Sequence, residues 1–106
     1  DMCEITVGTL KIWSAEQREH QLIDIREIQE FDLGNLGGQH IPMSDCLKRH
    51  VEIRRDVPVV IHCRTGRRSA AVISALASHH GFDNLLSLVG GAMEWAAAVD
   101  PSIDVE

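Results

Sequence analysis

Two kinds of apolar spacing alternate along the chain. In the first, short stretches are apolar at nearly every position and rich in β-branched residues: QLIDI at 21–25, PVVIH at 58–62 and LLSLV at 85–89. A strand without a polar face is one covered on both sides, so these three are expected to be inner strands of a parallel sheet. EIT at 4–6 and QHI at 39–41 are shorter strand candidates. In the second kind, apolar residues return at helical spacing. Val7, Leu10 and Trp13 share one face behind Thr6, a capping residue type. Ile28 and Phe31 stand three apart in EIQEFDL. SDCLKRHVEI at 44–53 opens with Ser44 and Asp45 just after Pro42, which predicts a helix with Cys46 half-exposed near its start. RRSAAVISALASHHG at 67–81 is apolar on most sides and reaches a natural stop at Gly81. GAMEWAAAV ends before Asp100-Pro101.

Strand and helix alternate from end to end. That rhythm implies an α/β domain with a mainly parallel five-stranded sheet and helices on both faces. Ligands in such folds bind beyond the carboxyl ends of the strands. Two strand ends are chemically loaded: Asp24, Arg26 and Glu27 follow the first long strand, and Cys63 follows the second.

Composition narrows the class. The chain has 106 residues, 44% apolar and 25% charged, which fits one domain with its own core and no need of staples. No apolar run approaches the roughly 20 residues of a membrane span. The start, DMCEITVGTLK, lacks the basic-then-apolar pattern of a signal peptide, and opening on Asp1 fits a domain excised from a longer protein. Cys3, Cys46 and Cys63 are an odd, widely spaced set that matches neither a disulfide framework nor a zinc signature, so a reducing, cytoplasmic setting is expected. A net charge of -6 argues against general nucleic-acid binding. In so acidic a chain, Arg64, Arg67 and Arg68 crowded beside Cys63 read as a local device.

The device is an anion cradle. Between a strand and a helix, RTGRR is expected to curl with its backbone N–H groups inward, Gly66 permitting the turn. The following helix adds unpaired donors and the positive end of its dipole. A thiol there should fall from about 8.5 to roughly 3.5–7.5 and react as a thiolate. The three arginines are expected to stabilise the thiolate and attract an anionic substrate. A cysteine at a strand end is more often a packing residue; three arginines and a glycine in a strand–loop–helix tip the balance toward a nucleophile. Cysteine phosphatases need Cys-x-x-x-x-x-Arg. Here Ser69 stands where that arginine would be, and Cys63 to Arg68 spans six residues, a smaller ring that suits a sulfur atom carried on cysteine.

DIREIQEFDLGNLGGQHIPM, VVIHCRTGRRSAAV and LLSLVGGAMEW together resemble the successive signatures of a rhodanese-like sulfurtransferase domain, over about residues 4–100 of a single domain spanning 1–106. The resemblance implies a ping-pong transfer. Cys63 takes the outer sulfur of thiosulfate or of a protein persulfide, such as that of a cysteine desulfurase. The persulfide sits in the loop of Arg64, Thr65, Gly66, Arg67, Arg68 and Ser69, and a thiol, cyanide or a carrier-protein terminus then takes the sulfur. No metal and no organic cofactor is implied, nor any nucleic acid or membrane partner. Asp24 and Arg26 match the family's Asp-x-Arg and are expected to order the rim, Arg26 pairing with Glu30 or standing as an ordinary solvated ion pair. Ser69 is expected to cap the helix and bond near the thiolate. Trp95 and Gly90–Gly91 match family positions that packing and a tight turn explain. NLGGQHIPM and GGAMEWAAAVDPSID are further similar to rhodanese-like domains fused behind ubiquitin-activating-like adenylyltransferases of molybdopterin, thiamine or tRNA-thiolation pathways, which implies a ubiquitin-like sulfur carrier protein as acceptor.

Other readings are weaker. A rhodanese-like docking or regulatory module without turnover is the alternative, and a phosphatase or arsenate reductase is disfavoured by loop length. Cys46 could resolve a Cys63 persulfide by forming a disulfide, but it reads first as a semi-exposed helix cysteine. The histidines do not cluster at ligand spacing; His79-His80 read as a helix end, and strand alternation turns His62 away from Cys63.

Overall fold

The computed structural model describes residues 3–105; Asp1, Met2 and Glu106, and with them the reading of Asp1 as an excision point, lie outside the described residues. Five parallel strands, β1 (Glu4–Ile5), β2 (Gln21–Asp24), β3 (Gln39–His40), β4 (Val59–His62) and β5 (Leu85–Leu88), form one sheet in the order β1-β5-β4-β2-β3. The connections carry α1 (Val7–Ala15), α2 (Ile28–Leu33) and α3 (Arg67–His80), and α4 (Gly91–Ala98) follows the last strand. The expected α/β architecture is what forms.

β4 lies in the middle because it alone is buried at every position, with β2 on one side and β5 on the other. Its side chains alternate between two cores. Val59, Ile61 and Cys63 join Ile23, Ile25 and Leu85 against Val72, Ile73 and Leu76 of α3. Val60 faces the other way with Leu88, Ile5, Val7 and Leu10, where Trp13 and Trp95 of α1 and α4 pack. Each such aliphatic side chain contributes about 1.5–3 kcal/mol by leaving water. This two-sided anchoring fixes the height at which β4 ends, and so the position of Cys63.

α1 forms as its pattern predicts, with Thr6 Oγ1 accepting from the Thr9 N–H at 3.2 Å. α3 ends at Gly81, whose φ of 70° is the left-handed stop expected there. Its apolar character is one-sided: Ser69, Val72, Ile73 and Leu76 are buried, while Ala71, Ser74, Ala77 and Ser78 face outward. The small outer residues suit helix formation without needing cover.

The helix expected over 44–53 does not form. In its place are two short 3₁₀ turns, Met43–Asp45 and His50–Glu52. Between residues 43 and 52 only Cys46 is buried, so a continuous helix would have no apolar face to lay on the core. Ile41 and Ile53 pin the two ends instead. Cys46 is 1% exposed rather than half-exposed, its Sγ 3.4 Å from the Ile41 carbonyl. Burial, with Asp45 nearby, pushes its thiol up to about 11, so it stays neutral. Among the described residues, no helix is long and apolar enough to cross a membrane.

Candidate active site

Cys63 sits where β4 hands over to α3, buried to 1% exposure. Gly66, at φ 113° and ψ -10°, is the residue before the helix. That left-handed conformation is open to glycine and costly for other residues. It turns the Gly66 N–H onto the Cys63 Sγ at 3.1 Å, and the Ser69 N–H, in the first turn of α3, reaches the same sulfur at 3.4 Å. These are donors that a helix start leaves without intrahelical partners. The Ser69 hydroxyl lies 3.8 Å from the sulfur and donates to the Gly66 carbonyl at 3.0 Å.

The charge state follows from these neighbours. Burial pushes the Cys63 thiol up, but the N–H groups of Ser69 and Gly66, the Ser69 hydroxyl and the Thr65 N–H outweigh it and hold the thiol below its ordinary value. Ser69 bonds near the sulfur as expected, but the cap position belongs to Gly66.

The loop's carbonyls point the other way and are held by a second helix. The N–H groups of Ala92 and Met93 donate to the carbonyls of Cys63 and Arg64 at 2.9 and 3.1 Å. Gly91, at φ 61°, lets α4 come this close: a Cβ there would lie 2.6 Å from the Cys63 and Arg64 carbonyl oxygens. The Gly90–Gly91 pair is therefore more than a tight turn. It allows one helix start to grip the back of the loop while another faces the sulfur from the front.

The arginines divide the rim between them. Arg68 makes a two-pronged bond with Glu30 at 2.8 and 3.0 Å, which holds the Glu30 carboxyl down at about 2. Arg67 is exposed and Arg64 half-buried, and among the described residues neither has a carboxylate partner. Among the described residues, the hydrogen-bond donors on the sulfur are the Gly66 and Ser69 amides and no arginine, and Arg68 is paired with Glu30.

Asp24 and Arg26 form a buried pair, 0% and 1% exposed. The Arg26 Nε and Nη2 donate to the Asp24 carboxylate at 3.0–3.1 and 2.7 Å, and Nη2 also donates to the Gly34 carbonyl at 2.7 Å. Arg26 therefore pairs with Asp24 and not with Glu30, and the pair is not solvated. Burial dictates this outcome, because an enclosed guanidinium needs an enclosed carboxylate. His62, opposite Asp24 in the ladder, has its Nε2 3.7 Å from Asp24 Oδ2. Burial, aided by Arg26, keeps His62 below its ordinary value and neutral. Alternation along β2 and β4 puts all three on the face opposite Cys63, as expected for His62.

Two residues of this region were not foreseen. Glu30 was assigned to Arg26, although its place three residues after Glu27 is a capping-box position that only marks a helix start. Ser87 is buried on β5 with its hydroxyl 2.7 Å from that of Ser69. Its signal was a single polar residue inside the otherwise apolar LLSLV. Beside the loop lies an open cleft of about 330 Å³, lined by Thr65, Gly66, Arg67, Ser87, Val89 and Gly90 among others.

A parallel sheet that delivers a cysteine onto the backbone amides of a helix start defines an α/β domain with its donors aimed at one sulfur. The family is shown by comparison: the rhodanese-like domain matches residues 8–98, and the chain belongs to that family. The Bacillus subtilis protein YqhL is 37% identical over 86 residues, covering 80% of this chain and 68% of its own. The "Probable adenylyltransferase/sulfurtransferase MoeZ" of Mycobacterium tuberculosis is 32% identical over 102 residues. That match covers 93% of this chain but only 26% of MoeZ, so the chain spans about a quarter of that relative. A crystal structure of a rhodanese-like domain protein from Staphylococcus aureus superimposes with a TM-score of 0.83 at 26% identity, covering 99% of each chain.

Proposed function

We propose that this chain is a sulfurtransferase that carries sulfane sulfur as a persulfide on Cys63. The observation that supports this most is the convergence of the Gly66 and Ser69 amides on the Cys63 sulfur at 3.1 and 3.4 Å. Fixed donors of this kind favour a charged sulfur and need no reorganisation when one forms.

The chemistry takes two steps. The Cys63 thiolate attacks the outer sulfur of the donor. The donor's S–S bond breaks and its electron pair leaves with sulfite, if the donor is thiosulfate, or with a protein thiolate, if it is the persulfide of a cysteine desulfurase. A Cys63 persulfide remains, its negative terminal sulfur facing the amides of the Arg64–Ser69 loop. In the second step an acceptor nucleophile attacks that terminal sulfur, and the Cys63 thiolate departs as leaving group. Sulfur moves without net oxidation, so no metal or organic cofactor enters. Arg64 and Arg67, without carboxylate partners among the described residues, receive the anionic donor at the rim. Asp24 and Arg26 stabilise the strand end from the opposite face and touch no reacting atom.

The relationship to MoeZ, whose name joins an adenylyltransferase to a sulfurtransferase, supports the C-terminus of a ubiquitin-like sulfur carrier as acceptor, with a fused or separate adenylyltransferase acting on it beforehand. For that acceptor the roles reverse: the terminal sulfur of the Cys63 persulfide attacks the adenylated carboxyl and AMP leaves, and an added thiol then reduces the acyl–S–S–Cys63 bond, releasing the thiocarboxylate and forming a disulfide with Cys63 that a second thiol opens. A reducing compartment such as the cytoplasm suits a free thiolate. The test is incubation with thiosulfate followed by intact-mass measurement. A gain of one sulfur atom, absent in Cys63→Ser, is expected. No added sulfur from thiosulfate or from a desulfurase persulfide would leave a docking module as the surviving reading.

A further inference from the structure

We propose that Ser87 is a positioning residue for Cys63: its hydroxyl donates to Ser69 Oγ and leaves the Ser69 proton free to turn onto the sulfur whenever Cys63 bears a negative charge. This rests on the reading of Cys63 as a charged sulfur carrier and adds to it a residue on a different strand.

The case begins with a serine where the sequence calls for an aliphatic residue. Ser87 is 3% exposed, between Leu86 and Leu88 on β5 and opposite Ile61 of β4. Burying a hydroxyl there costs free energy unless it is hydrogen-bonded. Its side-chain partner among the described residues is Ser69 Oγ, at 2.7 Å. Alternation along β5 puts Ser87 with Leu85 on the α3 side of the sheet, beneath the first turn of that helix.

Proton counting then assigns the direction. Ser69 Oγ has one proton and three polar neighbours: the Gly66 carbonyl at 3.0 Å, Ser87 Oγ at 2.7 Å and Cys63 Sγ at 3.8 Å. The carbonyl only accepts. While Cys63 is a thiol, its S–H points to Ser69 Oγ and Ser69 donates to the carbonyl. Once the sulfur is charged it gives no proton and takes another donor. Ser69 then turns its proton from the carbonyl to the sulfur, and its oxygen, having lost the S–H donor, keeps the Ser87 O–H. The Gly66 carbonyl is not orphaned by the turn, because it also accepts from the Ala70 N–H at 3.2 Å. Without Ser87, the turned Ser69 oxygen would have no donor and the switch would be disfavoured. Ser87 is also among the residues that line the cleft beside the loop.

The experiment is the pH dependence of Cys63 alkylation by iodoacetamide in the wild type, Ser87→Ala, Ser87→Thr, Ser69→Ala and the Ser69→Ala/Ser87→Ala double variant. Thermal unfolding of each is followed in parallel. Ser87→Ala is expected to raise the midpoint by about half a unit, roughly a threefold loss of thiolate at pH values below it. Ser87→Thr should restore the midpoint, and Ser87→Ala should add nothing in the Ser69→Ala background. A wild-type midpoint already at that of a free cysteine would overturn the parent reading. A low wild-type midpoint with Ser87→Ala unchanged, or with its full shift persisting when Ser69 is alanine, would overturn this one. A fall in unfolding temperature with no movement of the midpoint would mark Ser87 as a packing residue only.

Discussion

The two faces of the sheet carry two buried polar clusters, and they are built on opposite plans. On the α3 face, Cys63, Ser69 and Ser87 gather around one atom, a sulfur whose amide donors point inward from Gly66 and Ser69. On the other, Asp24 and Arg26 satisfy each other, with neutral His62 against them. The first cluster aims fixed amide donors at a single sulfur, which on the proposed function bears a charge that comes and goes. The second encloses two permanent charges that cancel. Perturbed side chains one residue apart on the same strand, His62 and Cys63, therefore serve different ends. What separates them is whether their neighbours leave a place for a further charge.

Removing the central atom of the first cluster has the largest effect. Cys63→Ser should abolish sulfur loading by intact mass and leave the unfolding temperature close to wild type. Retained loading would place the carrier elsewhere and dissolve the contrast. Next comes the second cluster. Asp24→Ala leaves the Arg26 charge enclosed without a partner and should cost about 3–5 kcal/mol in denaturant unfolding. The alkylation midpoint of the protein that remains folded should not move. A midpoint shifted as strongly as the stability would mean that the two faces are coupled.

The rim sharpens the comparison further. Arg64→Ala combined with Arg67→Ala should lower kcat/KM for thiosulfate by about tenfold at low salt, and by less at high salt. Loading from a neutral sulfane donor should barely change, because the amides that touch the sulfur remain. Equal losses with both donors would place the arginines in the cradle itself. The smallest effect belongs to Glu30→Gln, about 0.5–1 kcal/mol at neutral pH for a pair at the solvent edge. Glu30 is depressed to about 2 in the folded protein, below its ordinary value of about 4.3. Its contribution is therefore full above the ordinary value and fades as pH falls toward 2, where Glu30→Gln and wild type should unfold alike.

Much of this was legible in the chain. The runs at 21–25, 58–62 and 85–89 are apolar at nearly every position because both faces of the sheet are covered, and their placement followed directly. Cys63 and its loop were legible for the same reason: a strand end, a glycine and a helix start are local features. What was not legible depends on contacts between distant segments. That Arg68 rather than Arg26 meets Glu30 is decided by how α2 lies across α3. That Cys46 is buried in a turn, not half-exposed on a helix, is decided by the path from β3 to β4. Ser87 is within hydrogen-bonding distance of Ser69 only because β5 pairs beside β4 in a particular register, and no spacing in the sequence announces it.

The amides of the cradle are main chain, and main chain is common to every residue type. Gly66 must keep its left-handed turn and Gly91 its bare α-carbon, but the side chains of Arg64, Thr65 and Arg67 contribute nothing to the ring that surrounds the sulfur. On the proposed sulfur-carrier reading, the loop is thus a fixed interior with an exchangeable face. Substituting those three positions in combination offers a route to redirecting which donor or acceptor the domain meets without rebuilding the chemistry inside.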